Sequence, residues 1–195
     1  MNPHFIFNSL SAIQSRILNG ESKNAYEHLS TFSSLLRQSL KFTSKEFITL
    51  EEELSFLKNY ILLEQSRMSG GFDYQIEIAS DLKTSEIVFP SLLSQPFVEN
   101  AIRHGLIHSS KKKYLIIKLE GDADSYLFTI EDNGIGREQS QKMKINTEHE
   151  SFAIGAIKER IEMINKEKLM CLSLEIKDLP TGTRVLIKVV KTKAD

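Results

Sequence analysis

The chain has 195 residues, 41% of them hydrophobic, enough for a buried core in one large domain or in a modest domain with a helical appendage, and this excludes general disorder. Twenty-five basic against 26 acidic residues leave a formal net charge of −1. No global field therefore draws the chain to nucleic acid or to an anionic membrane, and any polyanion must be bound locally.

In chain order, the first part reads as helical. Phe5, Leu10, Ile13, Ile17 and Leu18 recur at helical spacing, Pro3 suits a first turn and Gly20 a stop. Tyr26, Leu29, Phe32, Leu36 and Leu40 then form one apolar stripe of a second helix. Thr49 and Glu52 make a T-x-x-E capping box ahead of Leu50, Leu54, Leu57, Ile61 and Leu62, which predicts a third helix to about Arg67. Ser69-Gly70-Gly71 ends it, and the texture changes. Phe72, Tyr74, Ile76 and Ile78 alternate as in a half-buried strand, and further strands are expected at 114–119, 126–131, 172–176 and 183–190. Helical patterns lie at 91–107 and 153–164. The division is a helical domain over 1–69 and a second domain over 70–195, with an α+β fold in which helices cover one face of a mixed sheet. Cys171 excludes an internal disulfide, fits a reducing compartment and reads as a small apolar core residue. Lys111-Lys112-Lys113 reads as a solvated loop rather than a nucleic-acid patch. No run of about 18 apolar residues is present, so direct membrane contact by this chain is not expected.

Three separated segments carry chemistry. In Gln95-Pro96-Phe97-Val98-Glu99-Asn100-Ala101-Ile102-Arg103-His104-Gly105, helical winding brings Glu99 and Arg103 within one turn and makes Asn100 and His104 an i,i+4 pair. A neutral Asn oxygen is able to ligate Mg²⁺ alongside phosphate oxygens, although a polar helix face packed under a loop would read the same way. In Glu131-Asp132-Asn133-Gly134-Ile135-Gly136, a strand runs into a turn where glycine lets backbone approach a ligand. Asp132 at the strand end is acceptor-only, suited to the exocyclic amine of adenine, while D-N-G is also an ordinary turn signal. Pro180-Thr181-Gly182-Thr183-Arg184, ahead of the last strand, is a weaker signal.

Together these segments resemble the Bergerat-type ATP-binding fold of histidine kinases, gyrase-like ATPases and Hsp90-like chaperones. Glu99-Asn100 looks like the N-box, Asp132 to Gly136 the first glycine box and the region of Gly155 the second. The resemblance implies ATP and Mg²⁺ as cofactors, with Asn100 as metal ligand and Glu99 as the catalytic carboxylate near the metal. It also implies a nucleotide site containing Arg103, His104, Asp132, Gly134, Gly136, Gly155 and Thr183. The second box departs from the family in keeping only Gly155, with Ala153 where glycine is expected.

Asn2-Pro3-His4-Phe5-Ile6-Phe7-Asn8-Ser9-Leu10 is similar to the histidine box of the LytS/YehU-type sensor kinases, whose histidine accepts the phosphoryl group, and Leu35 to Leu40 and Leu50 to Arg67 continue that pattern. The resemblance implies autophosphorylation on His4, then transfer to an aspartate of a response-regulator receiver domain, in a homodimer built through the N-terminal helices. Phe5 follows His4 where many histidine kinases carry an acid, which leaves Glu99 as the candidate base. It further implies an upstream sensor region anchored in the inner membrane, with this part facing the cytoplasm, since the histidine box stands directly at Met1. Three rival readings remain: a nucleotide-binding module acting on a separate protein, an ATPase or chaperone of the same fold, and a structural dimer with a decayed pocket.

Overall fold

The computed structural model describes residues 3–68, 70–143, 147–167 and 170–192, and their side chains except those of residues 3, 4 and 147–152. The chain divides into two compact units, Met1–Gly71 with Ser85–Leu92, and Phe72–Thr84 with Leu93–Asp195.

The first unit contains α1 (Pro3–Leu18), α2 (Ser22–Thr43) and α3 (Leu50–Arg67). Gly20 takes φ of +77° after α1, a conformation that favours glycine. An aromatic centre joins the helices: Phe5 stacks on Tyr60 at 5.2 Å and tilts against Phe32 at 6.5 Å between ring centroids. The apolar stripe expected to bury α2 is only partly used. Ala25, Phe32, Leu35 and Phe42 go inside, while Tyr26, Leu29 and Leu40 stay exposed, because a second stripe of the same helix faces its neighbours.

The capping box of α3 is realised in both directions. Thr49 Oγ1 accepts from the Glu52 backbone N–H at 3.1 Å, and Glu52 Oε2 accepts from the Thr49 N–H at 3.1 Å. Thr49→Ala is expected to lower stability by about 1 kcal/mol, read as a shift of the urea midpoint. Two strands of three residues that the sequence did not announce, β1 (Phe47–Thr49) and β3 (Val88–Pro90), pair antiparallel beside α3. The buried Glu53 carboxylate accepts from the Leu92 N–H at 2.8 Å, where Leu92 holds φ of +56°.

The second unit is built on a five-stranded sheet in the order β2-β4-β5-β7-β6, with β2 (Asp73–Ile78), β4 (Tyr114–Gly121), β5 (Ser125–Asp132), β6 (Met170–Asp178) and β7 (Thr183–Lys191). β2 and β4 are parallel and the other pairs antiparallel. Period-two alternation sends Leu115, Ile117, Leu119, Phe128, Ile130, Val185 and Ile187 to one buried face. That face is covered by helical segments, among them α4 (Gln95–Asn100), a π-wound continuation over Ala101–Leu106, and α6 (Thr147–Lys166). The Asn165 side chain ties α6 to β6, donating to the Leu172 carbonyl at 2.9 Å and accepting from its N–H at 2.7 Å. The α+β class with a mixed sheet is as expected. Cys171 is not a core residue: in β6 it lies between buried Met170 and Leu172 and therefore points to the exposed side.

Candidate functional site

The register of β5 and β7 sets Asp132 opposite Thr183, in the same buried rows as Ile130 and Val185. Alternation thus sends a carboxylate where the preceding members of its row are apolar. Asp132 is 3% exposed, and its Oδ1 accepts from the Gly134 N–H at 2.8 Å. Burial pushes its pKa up to about 6, against the pull of backbone hydrogen bonds from Gly134 and Thr183.

Three glycines make this placement sterically possible. A Cβ on Gly105 would stand 2.7 Å from Asp132 Oδ1, one on Gly134 would collide with the Gly105 backbone, and one on Gly182, at φ of +88°, would collide with the Asp132 carbonyl. The turn is also stapled from outside. Asn133 Oδ1 accepts from the Tyr114 N–H at 2.8 Å, and its Nδ2 donates to the Lys112 carbonyl at 2.7 Å. Asn133 is thus a structural member of the D-N-G turn.

A cleft partly open to solvent lies over Asp132. Its apolar wall includes Phe97, Ala101, Ile130, Ile154, Ile176 and Val185, and its polar lining is Asn100, His104, Asp132, Arg137, Ser140 and Thr183. Such a mixture, mostly apolar with a few convergent polar groups, suits a flat heteroaromatic ligand. The helix that supplies Asn100 changes from α to π winding at Ala101, a local feature often found where function needs a displaced side chain. Burial, then Arg103, push the His104 imidazole pKa down, partly countered by Glu99. Among the described residues its buried Nδ1 finds no hydrogen-bond partner, and neither does the buried Ser140 Oγ.

The chain shares 34% identity over 136 residues with the sensor protein LytS of Staphylococcus haemolyticus, and 31% over 133 residues with the sensor histidine kinase BtsS of Escherichia coli. A family model described as histidine kinase matches residues 1–72. The chain belongs to the LytS-type histidine kinase family. It matches 70% and 68% of its own length to these relatives but spans only 23% of theirs. The histidine kinase domain of a blue-light activated histidine kinase from Erythrobacter litoralis shares the fold, with a TM-score of 0.51 at 13% identity over 97% of this chain and 93% of that one.

Within this family member, the three sequence segments meet at one cleft: Asn100 and His104 from the first, Asp132 and Gly136 from the second, Thr183 from the third. Gly134 belongs to the backbone packed on Gly105 rather than to the cleft lining. Glu99 and Arg103 are not among the lining residues either, and form an ion pair of 2.7 Å. Gly155 sits inside α6, where a Cβ would meet nothing within 4 Å, so that box is helical and its glycine serves no close approach here. The backbone of His4 lies in α1, and its side chain, like those of Ser151 and Phe152, is outside the described set.

Two polar lining residues escaped the sequence reading, Arg137 and Ser140. Both lie on α5 (Gly136–Lys142), whose polar sequence has too few apolar residues to show a helical stripe. Arg137 is anchored by a bidentate pair to Asp178, Nε to Oδ1 and Nη2 to Oδ2, both at 2.7 Å. Among the described residues no group of three or more His, Cys, Asp or Glu is arranged to hold a metal. The Asn100 amide oxygen in the cleft lining is a group able to ligate a divalent ion alongside phosphate oxygens. Nor is any described helix long and apolar enough to cross a membrane.

Proposed function

We propose that the chain is the catalytic region of a sensor histidine kinase that binds ATP in the Asp132 cleft, phosphorylates His4 and passes the phosphoryl group to an aspartate of a response-regulator receiver domain. The observation that carries this reading is the glycine-enclosed carboxylate, an acceptor-only group at the end of an apolar cleft, as the exocyclic amine of adenine requires. The partnerless polar atoms of His104 and Ser140 in the same cleft fit a polar ligand there.

In this reading Asp132 accepts from the adenine amine and Thr183, paired beside it, closes that end of the cleft. Asn100 would offer its amide oxygen to Mg²⁺, which would neutralise charge on the phosphate oxygens. His104 is neutral at pH 7, given its lowered pKa, and so offers one N–H and one lone pair without adding charge. Arg103 holds the Glu99 carboxylate in one orientation through their ion pair, for use in positioning the reacting imidazole. An imidazole nitrogen of His4 attacks the γ-phosphorus, an N–P bond forms, the bond to the β–γ bridging oxygen breaks, ADP leaves and the imidazole proton passes to Glu99, the candidate base. The second domain, 70–195, serves as the ATP-binding domain, and the first, 1–69, as the phosphoacceptor domain.

The exposed apolar side chains of α1 and α2, Phe7, Ile17, Leu18, Tyr26 and Leu40, supply the surface for a homodimer through these helices. In the whole protein this region would face the cytoplasm, with a membrane-anchored sensor upstream.

The test is incubation with γ-labelled ATP and Mg²⁺, comparing wild type with His4→Gln and Asn100→Asp. Label that is lost in acid, and is absent from both variants, is the expected result. Wild type that binds ATP but takes no label, or label that persists in His4→Gln, would sink the self-kinase reading.

A further inference from the structure

We propose that the Ser140 hydroxyl is a second contact to the purine, donating to a ring nitrogen while Asp132 takes the exocyclic amine. This rests on the nucleotide-binding reading of the cleft.

Ser140 follows Gly136 by four residues and Arg137 by three, and all three line the cleft, so one face of α5 is turned to it. The helix is not free to rotate, since its first turn is clamped by the Arg137–Asp178 pair. Ser140 is 3% exposed, yet its Oγ has no hydrogen-bond partner among the described residues. A helical serine ordinarily relieves this by bonding the carbonyl four residues back, and here that outlet is not taken. A buried hydroxyl without a protein partner calls for one outside the chain, a water or a ligand.

The chemistry of adenine supplies one. Its edge presents one amine donor together with ring nitrogens that only accept. Asp132, when ionised, accepts only and is able to serve the amine alone. A ring nitrogen needs a donor, and the serine O–H is a donor that rotates to suit. His104 Nδ1, equally partnerless on the π-wound segment packed against α5, makes the same side of the cleft a polar one.

The test uses the full chain with Ser140→Ala, measuring dissociation constants for ATP and for its 1-deaza, 3-deaza and 7-deaza analogues, and the melting temperature without nucleotide. Ser140→Ala is expected to weaken ATP binding about five- to twentyfold. Because no hydrogen bond is lost, its melting temperature without nucleotide should be equal to or above that of wild type. One deaza analogue should bind wild type more weakly by the same factor and suffer no further loss in the variant. An ATP affinity within twofold of wild type, with wild type binding normally, overturns this inference and leaves the nucleotide reading standing. So does a deaza penalty that is the same in both proteins for all three analogues. Failure of wild type to bind ATP overturns both.

Discussion

Asp132→Asn is expected to weaken ATP binding at least about a hundredfold and, without nucleotide, to abolish a loss of stability that wild type undergoes between pH 4 and 7. The first effect follows from the Gly134 N–H, which holds an oxygen of this side chain at 2.8 Å. In the asparagine variant that oxygen stays with Gly134, and the amide NH₂ is left to meet the adenine amine, donor against donor.

The second effect follows from proton linkage. The folded pKa of Asp132 is about 6, above the ordinary 3.8, so between these values the folded state holds more of this proton than the unfolded state. Its contribution is therefore greatest below pH 4 and declines as the pH rises through 6. At about 1.36 kcal/mol per unit, the decline comes to roughly 2–3 kcal/mol. Urea unfolding of the two proteins at pH 4, 5, 6 and 7 reads the difference directly, and parallel pH profiles would refute the assignment. The same proton opposes nucleotide: affinity that depends on an ionised Asp132 should fall as pH drops below about 6 in wild type and not in the variant.

Gly182→Ala is expected to lower stability by about 2–5 kcal/mol and to remove nucleotide binding. Two independent effects add at this residue. Its φ of +88° is strained for alanine, and the new methyl would enter the Asp132 carbonyl, which is backbone held in the sheet and unable to move aside. Gly155→Ala is the matched control. Its methyl meets open space within a helix, where alanine is favoured by roughly 1 kcal/mol. Urea midpoints should thus move in opposite directions for the two substitutions. A Gly182→Ala protein with wild-type stability would show that the turn relaxes in a way the packing does not suggest.

What was legible in the sequence followed from local rules. The Thr49–Glu52 capping box needs residues three apart, and both of its hydrogen bonds form. Period-two alternation located the five sheet strands, although β6 begins two residues before the expected 172–176 and ends two after it. Convergence of residues 95–105, 132–136 and 183 on one cleft was reached only through resemblance, since no local pattern states that Asp132 lies opposite Thr183.

The rest was hidden for physical reasons. The π winding at Ala101–Leu106 leaves no mark on a pattern read at helical spacing. β1 and β3 are three residues each and exist only through their pairing. Ser140 carries no motif, and its burial is a property of packing. Tyr26, Leu29 and Leu40 are apolar at regular spacing, yet periodicity does not say which of two stripes on α2 is turned inward.

The place of β7 in the sheet bears on how such a chain is made. β7 leaves the ribosome after β5 and β6, yet it inserts between them and is bonded to both. Until it arrives, β5 offers an open edge, with Tyr126, Phe128 and Ile130 lacking the Val189, Ile187 and Val185 that lie opposite them in the finished sheet. The same strand brings Thr183 to Asp132. On the proposed reading the nucleotide site is thus incomplete until β7 docks, and the β5 edge stays open to wrong pairing for that interval.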